Sequence, residues 1–270
     1  MAEPPLEPAH TVPPILDVLP LASEGKLSVA TVSSAATAAD TVTVAAPIAK
    51  GTPTADSQLM GVSLSLMALL AAKAHDALRM RSGADNGHII TTKDVCDFVV
   101  IPETAESLCC YLDLYREKLD SEGLPYVGVG TVFLSHAWSY AFDTPLAVAR
   151  EYQESMDVRQ YFWFDLCANA QHPNVINDHT TRDHTWWSGT FKRSIETLGT
   201  VVLVLQPWFE PVPLTRSWCL WEILCAAEAK SVQLLVRLPA VEETGFHAKL
   251  LEPGGFNNAL RALVRRTRQH

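Results

Sequence analysis

Glu222 lies four residues after Trp218 in the string SWCLWEIL, so a carboxylate and an indole share one face of a helix. His136 and Trp138 follow the apolar run TVFLS, and Asp165 closes the run YFWFD. A carboxylate can hold hydroxyls or a cation, an indole offers a flat face for stacking, and an imidazole bonds to phosphate or hydroxyl. Each also has a plain structural role open to it. Glu222 suits a helix surface or the positive end of the helix dipole. Trp138 suits packing against the helix that follows, Asp165 suits a polar strand end, and Trp208 and Trp221 suit core or rim. A second cluster offers metal-ligating atoms: His172, His179 and His184 with Asp178, Asp183 and Cys167. Its histidines are separated by six and then four residues. That matches no zinc signature, and in a loop such spacing does not bring side chains together. No metal is expected.

The elements that must position these residues are legible from periodicity. Thr131–Ser135, Tyr161–Leu166, Thr200–Leu205 and Ser231–Leu238 are short apolar runs of the kind buried strands carry. Between them Thr144–Met156, Trp186–Leu198 and Ser217–Lys230 have helical spacing, with Gly199 as a C-cap and Ser217 as an N-cap. Phe256–Arg268 reads as a last, basic amphipathic helix, and its Arg261, Arg265, Arg266 and Arg268 suit a helix C-terminus. Strands that do not alternate, each followed by a helix, predict a parallel sheet with helices on both faces. The runs 131–135, 161–165 and 200–205 are expected to be neighbours in it. Ligands of such a sheet bind beyond the carboxyl ends of its strands, which is where His136, Trp138, Asp165 and the 206–222 segment fall.

FKRSIETLGTVVLVL…SWCLWEIL resembles the Toll/interleukin-1 receptor (TIR) family. An Ile-Glu pair, here Ile195-Glu196, precedes the third strand, and a WCLxE string, here 218–222, follows it. VFLSHAW (132–138) is similar to the family's opening strand, and YFWFDL occupies the second-strand position. The SHAW…WFD…WCLWE layout is also similar to TIR-like modules of algae and other protists. The resemblance covers about residues 128–268. Three features depart from it. Arg216 stands where the family usually has Ser, the 206–215 segment is longer and holds three prolines, and 167–185 lacks the Arg-Asp…Pro-Gly loop pattern.

The resemblance implies a flavodoxin-like three-layer α/β fold. It also implies a candidate NAD glycohydrolase acting in signalling or defence, with NAD(P) as substrate and no separate cofactor. Glu222 is then the catalytic carboxylate, and His136, Trp138 and Asp165, by their places past the strand ends, and Trp218, in the string, are the candidates to hold the dinucleotide. The leaving nicotinamide is already cationic, so no strong acid is needed. A carboxylate beside the ribose stabilises the oxocarbenium-like transition state. The family also contains non-catalytic scaffolds that self-associate or recruit other TIR-like domains, and that reading stays open.

Composition bounds the rest. The 270 residues are 48% hydrophobic and 19% charged, with a net charge of −9. So acidic a chain lacks the basic footprint of a nucleic-acid binder and is repelled by anionic lipid. The most apolar stretch, Leu59–Ala72, is too short for the roughly 20 residues a membrane span needs. Six cysteines without a CxxC pair, and an opening without a basic or apolar leader, point to a reducing, cytoplasmic setting. Residues 1–57 hold eight of the 17 prolines and no aromatic residue, and are expected to be a disordered tail. Residues 58–127 are expected to form a small helical lead-in, with a helix over 58–81 and then, between His88 and Asp120, a short strand, a turn capped at 91–93 and a helix over 107–118. Residues 128–270 are expected to form the TIR-like domain.

Overall fold

The computed structural model describes residues 59–82, 87–172, 184–258 and 261. The expected tail, most of the expected last helix, and Asp178, His179 and Asp183 of the metal-type cluster lie outside these residues.

The fold is mixed α/β around one six-stranded sheet of order β2-β1-β4-β3-β5-β6. Its parallel part is β3 (Val132–Ser135), β4 (Phe162–Trp163), β5 (Thr200–Val204) and β6 (Gln233–Arg237). Phe133 pairs with Trp163 on one side and Val201 on the other, so the three aligned runs are neighbours, as expected. All of β3 and β4, and all of β5 but Thr200, are buried, as strands covered on both faces must be. β6 closes the sheet, and its residues are exposed or half-buried.

The chain runs from β3 outward to β4, then back across β3 to β5 and β6. With the right-handed crossovers usual in such sheets, this order puts α3 (Asp143–Glu154) on one face, and α5 (His184–Leu198) and α6 (Ser217–Glu228) on the other. The packing agrees, since α3 meets α1 (Leu64–Ser82) and α5 meets α6. α5 stops at Gly199, whose φ of +69° is the left-handed conformation that a side chain resists. Ser217 does not cap α6. It is the first helical residue, and Arg216 occupies the cap position with extended backbone and no side-chain cap bond.

The segment 58–127 does more than add helices. β1 (Met60–Val62) and β2 (Val127–Val129) form an antiparallel pair, and β1 also pairs with β4, so both belong to the same sheet. β1 occupies the start of what reads as a continuous helix in sequence, because Leu59, Met60 and Val62 suit either period. Gly61 permits the close approach: a Cβ there would lie 2.7 Å from the Tyr161 carbonyl. Thr91 caps α2 through a reciprocal bond pair with Asp94. This helix runs through Thr92–Val95, a π-turn at Cys96–Val100 and Ile101–Glu103. Only Tyr111–Tyr115 of the expected 107–118 helix is helical, as a 3-10 turn. α4 (Asp165–Ala168) is one turn after β4. α7 (Ala240–Leu251) buries no residue, which is why no core-facing stripe announces it in the sequence. Among the described residues no helix is long and apolar enough to cross a membrane.

Candidate functional site

β3 and β5 are the two neighbours from which the chain leaves in opposite directions. In such sheets the loops beyond their carboxyl ends part and leave a crevice. A cavity of about 270 Å³ opens here, and all five residues singled out from sequence line it: His136, Trp138, Asp165, Trp218 and Glu222. β3 delivers His136 and Trp138, β4 delivers Asp165, and α6 delivers Trp218 and Glu222.

Glu222 is the buried face of α6, at 6% exposure. Its Oε2 accepts a 2.5 Å hydrogen bond from the hydroxyl of Ser135, the last residue of β3. Burial pushes the Glu222 carboxyl up to about 8, with Asp165 adding to the rise and the Ser135 bond and Arg216 opposing it. Asp165 is also pushed up by burial, to about 6, against the pull of two hydrogen bonds. These come from the Trp138 indole N–H at 2.7 Å and the Leu166 backbone N–H at 2.8 Å. Two desolvated carboxyls therefore share the cavity, and their titrations are linked.

His136 stacks on Phe164 at 4.9 Å, and its Nε2 is 3.1 Å from the Thr92 hydroxyl. Burial, helped by Arg216, lowers its pKa to about 3, so the imidazole is neutral at ordinary pH. Cys219 lies in the same wall, with its thiol 3.7 Å from the His136 carbonyl. Burial raises that thiol to about 12, so it is not a thiolate nucleophile.

Several lining residues have no motif to mark them. Trp187 and Phe191, one turn apart on α5, continue the aromatic wall, and Phe191 meets Trp218 at 5.4 Å. Their spacing on a helix is the only signal the sequence carries. Gln171 binds three backbone carbonyls (Asp165, Leu166 and Asn169) and so shapes the floor after β4. Arg216 also lines the cavity, and its only sequence signal is that it stands in a serine position of the resembled string.

The metal-type cluster does not assemble among the described residues. His172 is buried and lies 2.8 Å from the Thr104 hydroxyl, and Cys167 is wholly buried in the core. No group of three or more candidate ligands converges among the described residues. All six cysteines are buried and none is paired in a disulfide.

The lining offers three indoles, two carboxyls, one neutral imidazole and one guanidinium. Comparison with protein-family models, with curated proteins and with solved structures finds no match.

Proposed function

We propose that the cavity cleaves the nicotinamide–ribose bond of NAD, and that the chain is a TIR-like domain of flavodoxin-like fold. The observation that carries this is the convergence of Glu222, Asp165, Trp138 and Trp218 on one cavity at the reversal of strand order. In chain order the parallel strands run 2-1-3-4, which is how the flavodoxin-like order begins.

The nicotinamide ring stacks against the indole wall, and the ribose lies over Glu222 and Asp165. As the C–N bond lengthens, its electron pair leaves with the ring nitrogen and positive charge grows on the ribose. An ionised carboxylate beneath it is worth most at that moment, in a site with little water. Water then adds to the sugar carbon and releases its proton, giving nicotinamide and ADP-ribose. Before substrate binds, Glu222 is mostly protonated at neutral pH. The cationic ring arriving close by favours its ionised form. About 270 Å³ suits the nicotinamide-ribose half, so the adenosine half lies outside it, where a second copy of the chain can complete the site.

A non-catalytic scaffold is the other reading, favoured by Leu220 and Leu224, which stand exposed one turn apart on α6. Incubating the protein with NAD, dilute and clustered, decides between them. Nicotinamide release that falls about 10²-fold or more in Glu222→Gln supports the enzyme. No release under either condition leaves the scaffold.

A further inference from the structure

We propose that Arg216 binds a phosphate of the ligand, so that the cavity requires a flat cationic ring carried on a ribose 5′-phosphate. This rests on reading the cavity as a nicotinamide-ribose site, and it names what that site demands beyond the ring and sugar.

Arg216 lines the cavity, yet its side chain makes no hydrogen bond or ion pair with the described residues. It does not close onto Asp165 or Glu222, although its charge acts on both, and on His136 and Cys219. Among the described residues it is the one permanently cationic side chain in the lining. A guanidinium carries five donors in a planar fork that matches phosphate oxygens in pairs. Beside a slot built for a cationic ring, an unpaired guanidinium repels the ring. The carboxyls of Asp165 and Glu222 offset part of that repulsion, and an anion carried by the ligand itself would offset the rest and engage the free fork. A 5′-phosphate on the ribose is such an anion, carried a few bonds from the ring. The backbone at Arg216 also opens α6, and the helix dipole there favours negative charge in the same place.

The phosphate has two sources: a free pyridinium mononucleotide, or the nicotinamide half of a dinucleotide. Three indoles of the wall (Trp138, Trp187 and Trp218) make intrinsic fluorescence a direct binding readout for both. The full chain is titrated with nicotinamide mononucleotide, NAD and nicotinamide riboside. Wild type should bind the mononucleotide about 10- to 100-fold more tightly than the riboside, the scale of a charge-assisted contact. NAD binding as tightly as the mononucleotide marks the dinucleotide as an equal source, whereas NAD binding as weakly as the riboside restricts the site to the mononucleotide. Arg216→Gln should abolish the gap, and Arg216→Lys should keep part of it, since the charge stays and the fork is lost. Arg216 is exposed, so neither variant threatens the fold. Equal binding of riboside and mononucleotide by wild type overturns the proposal, as does a gap that survives Arg216→Gln. NAD cleavage that depends on Glu222 but is untouched by Arg216→Gln overturns it while leaving the glycohydrolase reading intact. A wild-type protein that binds none of the three overturns both.

Discussion

Glu222→Gln should stabilise this protein in alkali. In the folded chain burial holds the Glu222 carboxyl near 8 against an ordinary 4.5. Below 4.5 the side chain is protonated in both states and contributes no pH-dependent difference. Between 4.5 and 8 the unfolded chain gives up the proton and the fold keeps it, so stability falls as pH rises. Above 8 both states are ionised and the loss is complete. At about 1.4 kcal/mol for each tenfold change in proton affinity, the full loss is about 5 kcal/mol at most. Glutamine keeps the shape and still accepts the Ser135 hydroxyl, but has no charge to desolvate. A chain of this size gains about 2–4 °C per kcal/mol. Glu222→Gln should therefore melt about 10 °C or more above wild type at pH 9, and within a few degrees of it at pH 5. Asp165, raised from 3.8 to about 6, slopes the same way in both proteins and cancels in the comparison. The assay is calorimetric or circular-dichroism melting across pH 4.5–9.5. A gap that does not change with pH, or a variant less stable than wild type at pH 9, would refute the desolvated carboxyl. The sign is also informative, since a residue that weakens the fold it sits in is what a site kept for function looks like.

If the carboxylate is the working form, kcat/KM for NAD should rise with pH through about 8, because it follows the free site. Removing the Arg216 charge should move that rise to higher pH, and a flat profile from pH 6 to 9 would contradict the assignment. Val202, fully buried in β5 between β3 and β6, should not accept a charge. Val202→Asp should cost several kcal/mol and leave the chain unfolded by circular dichroism, and a soluble native spectrum would show that β5 is not central. Gly61→Ala puts a methyl 2.7 Å from the Tyr161 carbonyl and should cost about 1–3 kcal/mol. Gly189→Ala, on α5 with open space around it, should stabilise by up to about 1 kcal/mol. Equal melting points for these two variants would remove β1 from its place against β4.

What can be read from one sequence is whatever a local period carries. The runs around Val132, Phe162 and Val202 do not alternate, so burial on both faces and a parallel sheet follow without coordinates. The same logic places His136, Trp138, Asp165 and Glu222 past the strand ends. Gly199 and Thr91 announce their caps because each end needs a particular residue type. Contacts between distant segments have no such signature. Nothing around Met60–Val62 says strand, since three residues fit helix and strand alike and only pairing with Val127–Val129 and Phe162 decides. α7 buries nothing, so it leaves no apolar stripe to detect. The hydroxyl of Ser135 meets Glu222 across 87 residues of chain, and Trp187, Phe191 and Arg216 reach the cavity from two helices with no shared motif. Sequence determined which chemistry was available and at which end of the sheet it would stand. Tertiary structure alone decided its desolvation, because the number of neighbours that exclude water from Glu222 and Asp165 is set by how separate elements pack.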